Sequence, residues 1–383
     1  MNKRKNLTLF FEFFDHEHLG KDPFMVPYYL GKIMNYEVKI IYPLTESNKD
    51  LPSSIKGVSL CPLNIGTSKD AVAESFARAT YNYIWKHAKE IDLLMRFFDV
   101  DASRKAAMIY KLRNPKGKVY IKMDVNPYGI NDKAPSFPRN LLASIKGRIL
   151  KSFVDVISCE TQLALQKLKA SPNPYNHWGK KIVFMPNGFD EELLSSLHID
   201  EEKYAEKENV MITVGRLGTP PKNTPMLLQA LAKADLKDWK VYLIGPIDSS
   251  LQPEIDAFYQ QNLEKKNQVI FTGAIYDKKE LWEFYNRSKA FILTSKWESF
   301  ALVYTEAQRF RNYIVSTKVG AASDVIEDGK YGDFIEQDDF EGLAKKIDDI
   351  VSGSTDIDVY NHFDVKSLSW QERLKVIVDR LKS

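Results

Sequence analysis

Only two cysteines occur in the 383 residues, Cys61 and Cys159. They are too few for a disulfide framework and match no zinc spacing, so a reducing compartment is expected. Long apolar runs are missing too. No stretch reaches the roughly 20 apolar residues that span a bilayer, and the basic residues 1–6 lead into a short apolar run cut by Glu12 and Asp15, not into a signal-peptide core. Neither sign of charge dominates. Lys and Arg number 54 against 51 Asp and Glu, and a net charge of +3 gives no reason to expect nucleic acid. No G-x-G-x-x-G follows the first apolar run, which argues against a nicotinamide dehydrogenase. Repeats and low-complexity tracts are absent. These absences leave a cytoplasmic globular protein as the expectation.

Two domains are expected at this length, because a single core seldom keeps growing past about 250–300 residues. Strand-like apolar runs alternate with helical patterns throughout, the signature of parallel α/β units. In the first half strands are predicted at 6–11, 37–42, 58–60, 93–97, 119–123, 154–159 and 181–185, and helices at 23–34, 71–90, 100–114, 139–153 and 160–169. In the second half strands are predicted at 210–214, 240–244, 269–272, 290–293, 313–316 and 332–335. Pro186-Asn-Gly-Phe-Asp190 and the charged stretch 199–209 break the pattern and mark the crossing between domains. In the last segment, Leu368, Trp370, Leu374, Ile377, Val378 and Leu381 form a helical stripe that needs a partner surface.

The most telling stretch is Glu298-Ser-Phe-Ala-Leu-Val-Tyr-Thr-Glu306. It follows a buried strand, and the run 300–310 has helical spacing, which places Glu298 in a strand-to-helix loop and Glu306 about two turns into the helix. Ligands of open α/β sheets collect outside the carboxyl ends of strands, so both acids can face one crevice. The bland alternative is an acid near a helix N-terminus and a solvated acid. Earlier, Val214-Gly215-Arg216 ends another strand and Lys222 precedes the apolar helix 225–232. Two cations with free N–H groups at a helix start suit a diphosphate, against the alternative of a solvated basic loop.

These motifs together resemble the retaining family 4 glycosyltransferases of the GT-B fold, the glycosyl transferases group 1. The resemblance is carried by Val214-Gly-Arg216 with Lys222, by the acid-x7-acid pair Glu298 and Glu306, and by Pro186-Asn-Gly-Phe-Asp190. It covers residues 180–345 closely and the N-terminal half loosely. It implies an α/β chain of two Rossmann-like domains with parallel sheets facing across a cleft, 1–188 and 189–365, and a C-terminal helix 366–383 returning to the first. It further implies transfer of a sugar from a UDP- or GDP-linked donor to a glycan, lipid-linked or protein-linked acceptor, as in bacterial surface polysaccharide synthesis, with no metal. Arg216, Lys222 and Gly215 would hold the diphosphate. Glu298, with Ser299, Phe300 and Ala301, would meet the donor sugar, Glu306 the ribose, and the loop of Gly273, Ile275 and Tyr276 the base. The alternative is a nucleotide-sugar-binding partner subunit without chemistry.

In the N-terminal half, His16, Gly20 and Lys21 lie in a loop between the first strand and a helix, where backbone N–H groups can hold phosphate or acceptor. A metal reading of His16, His18 and nearby acids is disfavoured, since the ligands lack helical spacing. Where the family often carries a His, this chain has Lys122 and Asp124. Asp124 could receive or orient the acceptor's proton, or simply cap the turn before Pro127, and Lys122 could offset charge on phosphate or on a neighbouring acid. The segment 136–151 is a basic helix with an apolar stripe. It either packs by that stripe or rests on an anionic membrane.

Overall fold

The computed structural model describes residues 4–65, 72–130, 133, 139–173 and 176–383. The basic start 1–3, the expected helix start at Ala71 and the opening Ser136-Phe137-Pro138 of the basic segment lie outside the described residues. The chain divides into two compact units, Met1–Asn187 with Trp370–Ser383, and Gly188–Ser369.

The strands of the first unit are β1 (Lys5–Phe10), β2 (Tyr36–Pro43), β3 (Ser54–Ile55), β4 (Val58–Leu63), β5 (Leu93–Phe97), β6 (Lys118–Lys122), β7 (Val156–Cys159) and β8 (Ile182–Phe184). Those of the second are β9 (Glu208–Val214), β10 (Lys240–Ile244), β11 (Val269–Gly273), β12 (Ser288–Leu293), β13 (Tyr313–Thr317) and β14 (Gly332–Ile335). The helices are α1 (Asp22–Met34), α2 (Val72–His87), α3 (Asp101–Arg113), α4 (Arg139–Ser152), α5 (Gln162–Ala170), α6 (Glu191–Leu197), α7 (Thr224–Lys233), α8 (Gln252–Gln261), α9 (Lys278–Arg287), α10 (Leu302–Arg309), α11 (Ala322–Ile326), α12 (Phe340–Val351) and α13 (Trp370–Lys382).

The first sheet runs β3-β4-β2-β1-β5-β6-β7-β8, parallel except for β3 against β4. Its strands read as continuous apolar runs because both faces are covered. Leu7 and Leu9 of β1 pack with α1 and α13 on one face, while Phe10 joins α2, α3 and α5 on the other. Helix α13 finds the partner its stripe requires: Trp370, Leu374, Ile377, Val378 and Leu381 are buried in the core of the first unit, each contributing about 1.5–3 kcal/mol. The preceding residues Val365–Leu368 form a separate one-turn 3-10 helix that stays with the second unit.

The second sheet runs β11-β10-β9-β12-β13-β14, all parallel. The chain builds outward from β9 through β11, then returns beside β9 at β12 and builds the other way. This puts the switch in strand order between β9 and β12, where a crevice opens at the carboxyl ends. Helix α6 occupies part of the region expected to be a crossing; the Asp190 side chain caps it, accepting from Leu193 N at 3.1 Å. Strand β9 begins at Glu208, inside the stretch expected to be a charged connection.

Candidate active site

At the β9–β12 switch, two loops lie side by side and are stitched together. Lys296 N donates to Pro221 O at 2.7 Å, and Thr294 Oγ1 donates to Lys222 O and Asn223 O at 3.0 and 3.2 Å. Lys222 closes a 3-10 turn, Pro220–Lys222, just before α7. Its Nζ meets Glu298 Oε1 at 2.5 Å, with the two side chains 17% and 16% exposed. Ser295 Oγ donates to the same oxygen at 2.8 Å. Among the described residues Glu298 Oε2 accepts no hydrogen bond, so the carboxylate holds the lysine with one oxygen and keeps an acceptor in reserve.

Close backbone approach fixes this geometry. A Cβ on Gly215 would come within 3.0 Å of Lys222 Cε. On Gly320, in the loop after β13, it would come within 2.7 Å of Phe300 O and 2.9 Å of Glu298 Cβ. Gly320 also has φ +51°, a conformation that favours glycine. Ala301 sits in the left-handed region at φ 70° where the Glu298 loop enters α10. A non-glycine residue there stores strain, as ligand-binding loops often do.

The other expected donor-side residues are placed unevenly. Arg216 lies on the same loop as Lys222, exposed and without an ion pair among the described residues. Phe300 is buried in the second unit's core, and its carbonyl accepts from Ala321 N at 3.1 Å. Ser299 is half-buried beside it. Helix α10 starts at Leu302, so Glu306 stands at its fifth residue, a little over one turn in and short of the expected two. Glu306 Oε1 accepts from Lys278 Nζ at 2.7 Å and from Trp282 Nε1 at 3.1 Å. Sequence reasoning missed both partners; their i,i+4 spacing on one helix face was the available signal. Gly273 closes β11 at φ +75°, Ile275 packs against the core, and Tyr276 is 87% exposed. That loop leads directly into α9, which carries the partners of Glu306.

In the first unit the expected acceptor loop has its charged side chains engaged within the unit. His16 Nε2 pairs with Asp50 Oδ1 at 2.9 Å and Lys21 with Glu17 at 3.1 Å, while Gly20 stands open. Burial lowers the pKa of His18, whose Nδ1 accepts from Asp15 N. Of the two roles expected of Lys122, the structure shows the one toward neighbouring acids. Its side chain is wholly buried, with Nζ bonded to Asp22 Oδ2 at 2.6 Å and to Glu160, which leaves no route to a substrate phosphate. Burial opposes the Lys122 charge, but Asp22 and then Glu160 outweigh it and raise the pKa. Burial pushes the Glu160 carboxyl up to about 8. Asp124, two residues on, is exposed. The turn at Pro127 is capped by Asn126, whose side chain accepts from Tyr128 N. Among the described residues no three His, Cys, Asp or Glu side chains are grouped to hold a metal ion.

Residues 196–363 match the family model described as Glycosyl transferases group 1, and that span contains the whole Lys222–Glu298–Glu306 arrangement. The match lies wholly within the second unit. The chain is similar to CapM of Staphylococcus aureus, a capsular polysaccharide biosynthesis glycosyltransferase, at 26% identity over 187 residues, 48% of each chain. The chain spans about half the length of the curated relatives it matches. Among solved structures, a glycosyltransferase from Rickettsia africae aligns with a TM-score of 0.71 at 18% identity, covering 99% of this chain and 98% of that one. Anabaena Alr3699/HepE in complex with UDP aligns at 0.69 and 16% identity, covering 99% of both. At such identities the likeness is one of fold. The two parallel-sheet α/β units are those of GT-B glycosyltransferases.

Proposed function

We propose that the chain is a retaining glycosyltransferase that moves a hexose-type unit from a UDP- or GDP-linked donor to a glycan, lipid-linked or protein-linked acceptor in bacterial surface polysaccharide or glycoconjugate synthesis. The observation that carries the reading is Lys222 Nζ on Glu298 Oε1 at 2.5 Å at the switch of the second sheet. The bond from the sugar's anomeric carbon to the diphosphate breaks as the acceptor oxygen bonds to that carbon, and negative charge grows on the leaving group. Lys222 and the exposed Arg216 stand where they offset it, a task assigned here to side chains and not to a metal. Glu298 Oε2 is the acceptor for donor-sugar hydroxyls, and Glu306, steadied by Lys278 and Trp282, is the acceptor for the ribose. Asp124 is the first unit's candidate to receive or orient the acceptor's proton.

Calorimetry with UDP and GDP tests the donor side. One of the two should bind, and Glu306→Gln should weaken it roughly tenfold, the loss of one charge-assisted hydrogen bond. Unchanged affinity would remove Glu306 from the ribose role. The closed-off Lys122, standing where the resemblance puts a His, favours a second reading as a nucleotide-sugar-binding partner subunit. Slow acceptor-free hydrolysis of the donor on long incubation would decide for the enzyme. Placement in the cytoplasm, at the inner face of the cell membrane, is part of the proposal; among the described residues no helix is long and apolar enough to cross a membrane.

A further inference from the structure

A sheet covered on both faces is expected to be apolar on both, and the first sheet departs from this in one place. Side chains alternate across a sheet. On the face where Phe10 and Ile41 join the core beneath α2, the positions nearer the amino ends of β1, β2 and β4 are Asn6, Thr8, Glu37, Lys39 and Ser59. Strand register sets these five in two rows. Thr8 lies beside Lys39 and Lys39 beside Ser59, while Asn6 lies beside Glu37. The rows are two residues apart along each strand, about 6–7 Å.

A cavity of about 180 Å³ opens over the rows and is lined on its other side by Tyr83 and His87 of α2 and by Glu90. It is smaller than the roughly 300–1,000 Å³ of drug-sized sites and equals the liquid volume of about six waters. Its polar groups are not spent on the fold. Thr8 is 3% exposed and lines the cavity, yet its hydroxyl has no hydrogen-bond partner among the described residues. The side chains of Glu37, Lys39 and Ser59 also make no hydrogen bond or ion pair among the described residues, although Glu37 and Lys39 share a face. Asn6 Nδ2 donates to Glu90 O at 2.8 Å, which leaves Oδ1 of that amide as an acceptor.

The two rows therefore differ in kind. Thr8, Lys39 and Ser59 offer donors around one cation, and Asn6 Oδ1 and Glu37 offer acceptors around one anion. A simple anion would meet Glu37, and a simple cation would meet Lys39. A ligand carrying both charges a short distance apart satisfies both rows at once. The Tyr83 ring, on which a sugar would stack, is already engaged by His87 at 4.5 Å and by Phe10 at 5.5 Å. We infer that this cavity binds a small zwitterion of the α-amino-acid class, its carboxylate held by Thr8, Lys39 and Ser59 and its ammonium by Glu37 and Asn6. Hydrogen bonds to charged groups are the strong ones, and Thr8 gains the partner that the fold denies it. Ligands of open parallel sheets collect at the carboxyl ends of the strands, so an occupant toward the amino ends leaves the substrate end of this sheet free. The inference does not depend on the glycosyltransferase reading.

The test is calorimetry of the full chain with glycine, L-alanine and L-serine, set against acetate, methylammonium and glucose. At least one of the three amino acids should bind at one site per chain, with acetate and methylammonium at least tenfold weaker. Thr8→Val removes the unpartnered hydroxyl at nearly constant volume, Lys39→Gln the cation and Glu37→Gln the anion. Each should weaken amino-acid binding tenfold or more, the loss of one hydrogen bond to a charged group. Circular dichroism and binding of UDP or GDP should remain as in the parent chain, which separates failure here from misfolding and from failure of the donor site. No binding by any of the three amino acids overturns the inference. So does acetate binding as tightly as they do, which would mean an anion site, or glucose binding in their place, which would mean a polyol site. Parent-like affinity in both Lys39→Gln and Glu37→Gln would put the amino acid elsewhere and overturn it as well.

Discussion

Each unit sets a lysine at the carboxyl end of a parallel strand or in the loop beyond it, and pairs it with acid, yet the two arrangements differ in what they leave over. Lys122 is wholly buried between Asp22 and Glu160. Lys222 and Glu298 keep about a sixth of their side-chain surface, and one Glu298 oxygen has no partner among the described residues. A cluster sealed from solvent supports structure, even though Glu160 Oε2 is left there buried without a hydrogen-bond partner among the described residues. A pair at a crevice mouth can exchange its partner for a ligand, because water already shares in its solvation. Burial therefore separates the two sets of the same residue types, and on that ground the first is proposed as scaffold and the second as site.

The contrast is broken most directly at Lys122. Lys122→Ala takes the buried cation from the Asp22 carboxylate and the Glu160 carboxyl and should cost about 3–5 kcal/mol of stability, read from chemical denaturation. Lys122→Leu with Asp22→Asn and Glu160→Gln should restore most of the loss, since a buried ionic cluster replaced as a whole is often near neutral. If the single variant were as stable as the parent, the sealed cluster would not be structural. Lys222→Ala is expected to behave in the opposite way. Turnover should fall about a hundredfold, close to 3 kcal/mol of barrier, while stability changes by no more than about 1 kcal/mol. Acceptor-dependent release of nucleotide measures the first and denaturation the second. A large stability loss with normal turnover at saturating donor would make Lys222 another scaffold lysine.

The pH response sharpens the comparison. The folded Glu160 carboxyl holds its proton up to about 8, against an ordinary value of 4.5. Below 4.5 both folded and unfolded chains carry that proton and its contribution is fully present. Between 4.5 and 8 the unfolded chain releases it first, so stability falls as pH rises, with a slope of at most about 1.4 kcal/mol per pH unit for one proton. Raised Lys122 acts only above the ordinary lysine range and leaves this window alone. Glu160→Gln should flatten the fall. A stability profile level from pH 5 to 8 in the parent chain would show that Glu160 ionises normally.

Much of this was legible in the chain. Strands buried on both faces write themselves as apolar runs, and β5, β10 and β14 lie at the bounds that periodicity predicts. Glu298 and Lys222 were legible because each follows such a strand at a loop, where chemistry collects. The partners were not. Asp22 meets Lys122 across 100 residues and Lys222 meets Glu298 across 76; pairing over that distance is set by sheet order, which no local pattern records. Phe300 was assigned to the sugar by its place in the motif, whereas its side chain answers to the core. Helix α6 was hidden because its seven residues offer only two turns of periodicity.

The smallest expected effect lies at Ala301. Its left-handed backbone at φ 70° costs an L-residue about 1–2 kcal/mol. Ala301→Gly removes that strain but adds freedom to the unfolded chain, a cost of about 0.5–1 kcal/mol. The net gain in stability should be about 0.5–1 kcal/mol, read as a raised denaturation midpoint. Turnover should move the other way: the alanine's narrow choice of conformations helps hold the Glu298 loop against Gly320, and a glycine in its place lets that loop wander. Greater stability with undiminished turnover would show that the strain does nothing for the site, and that close packing against Gly320 alone positions Glu298.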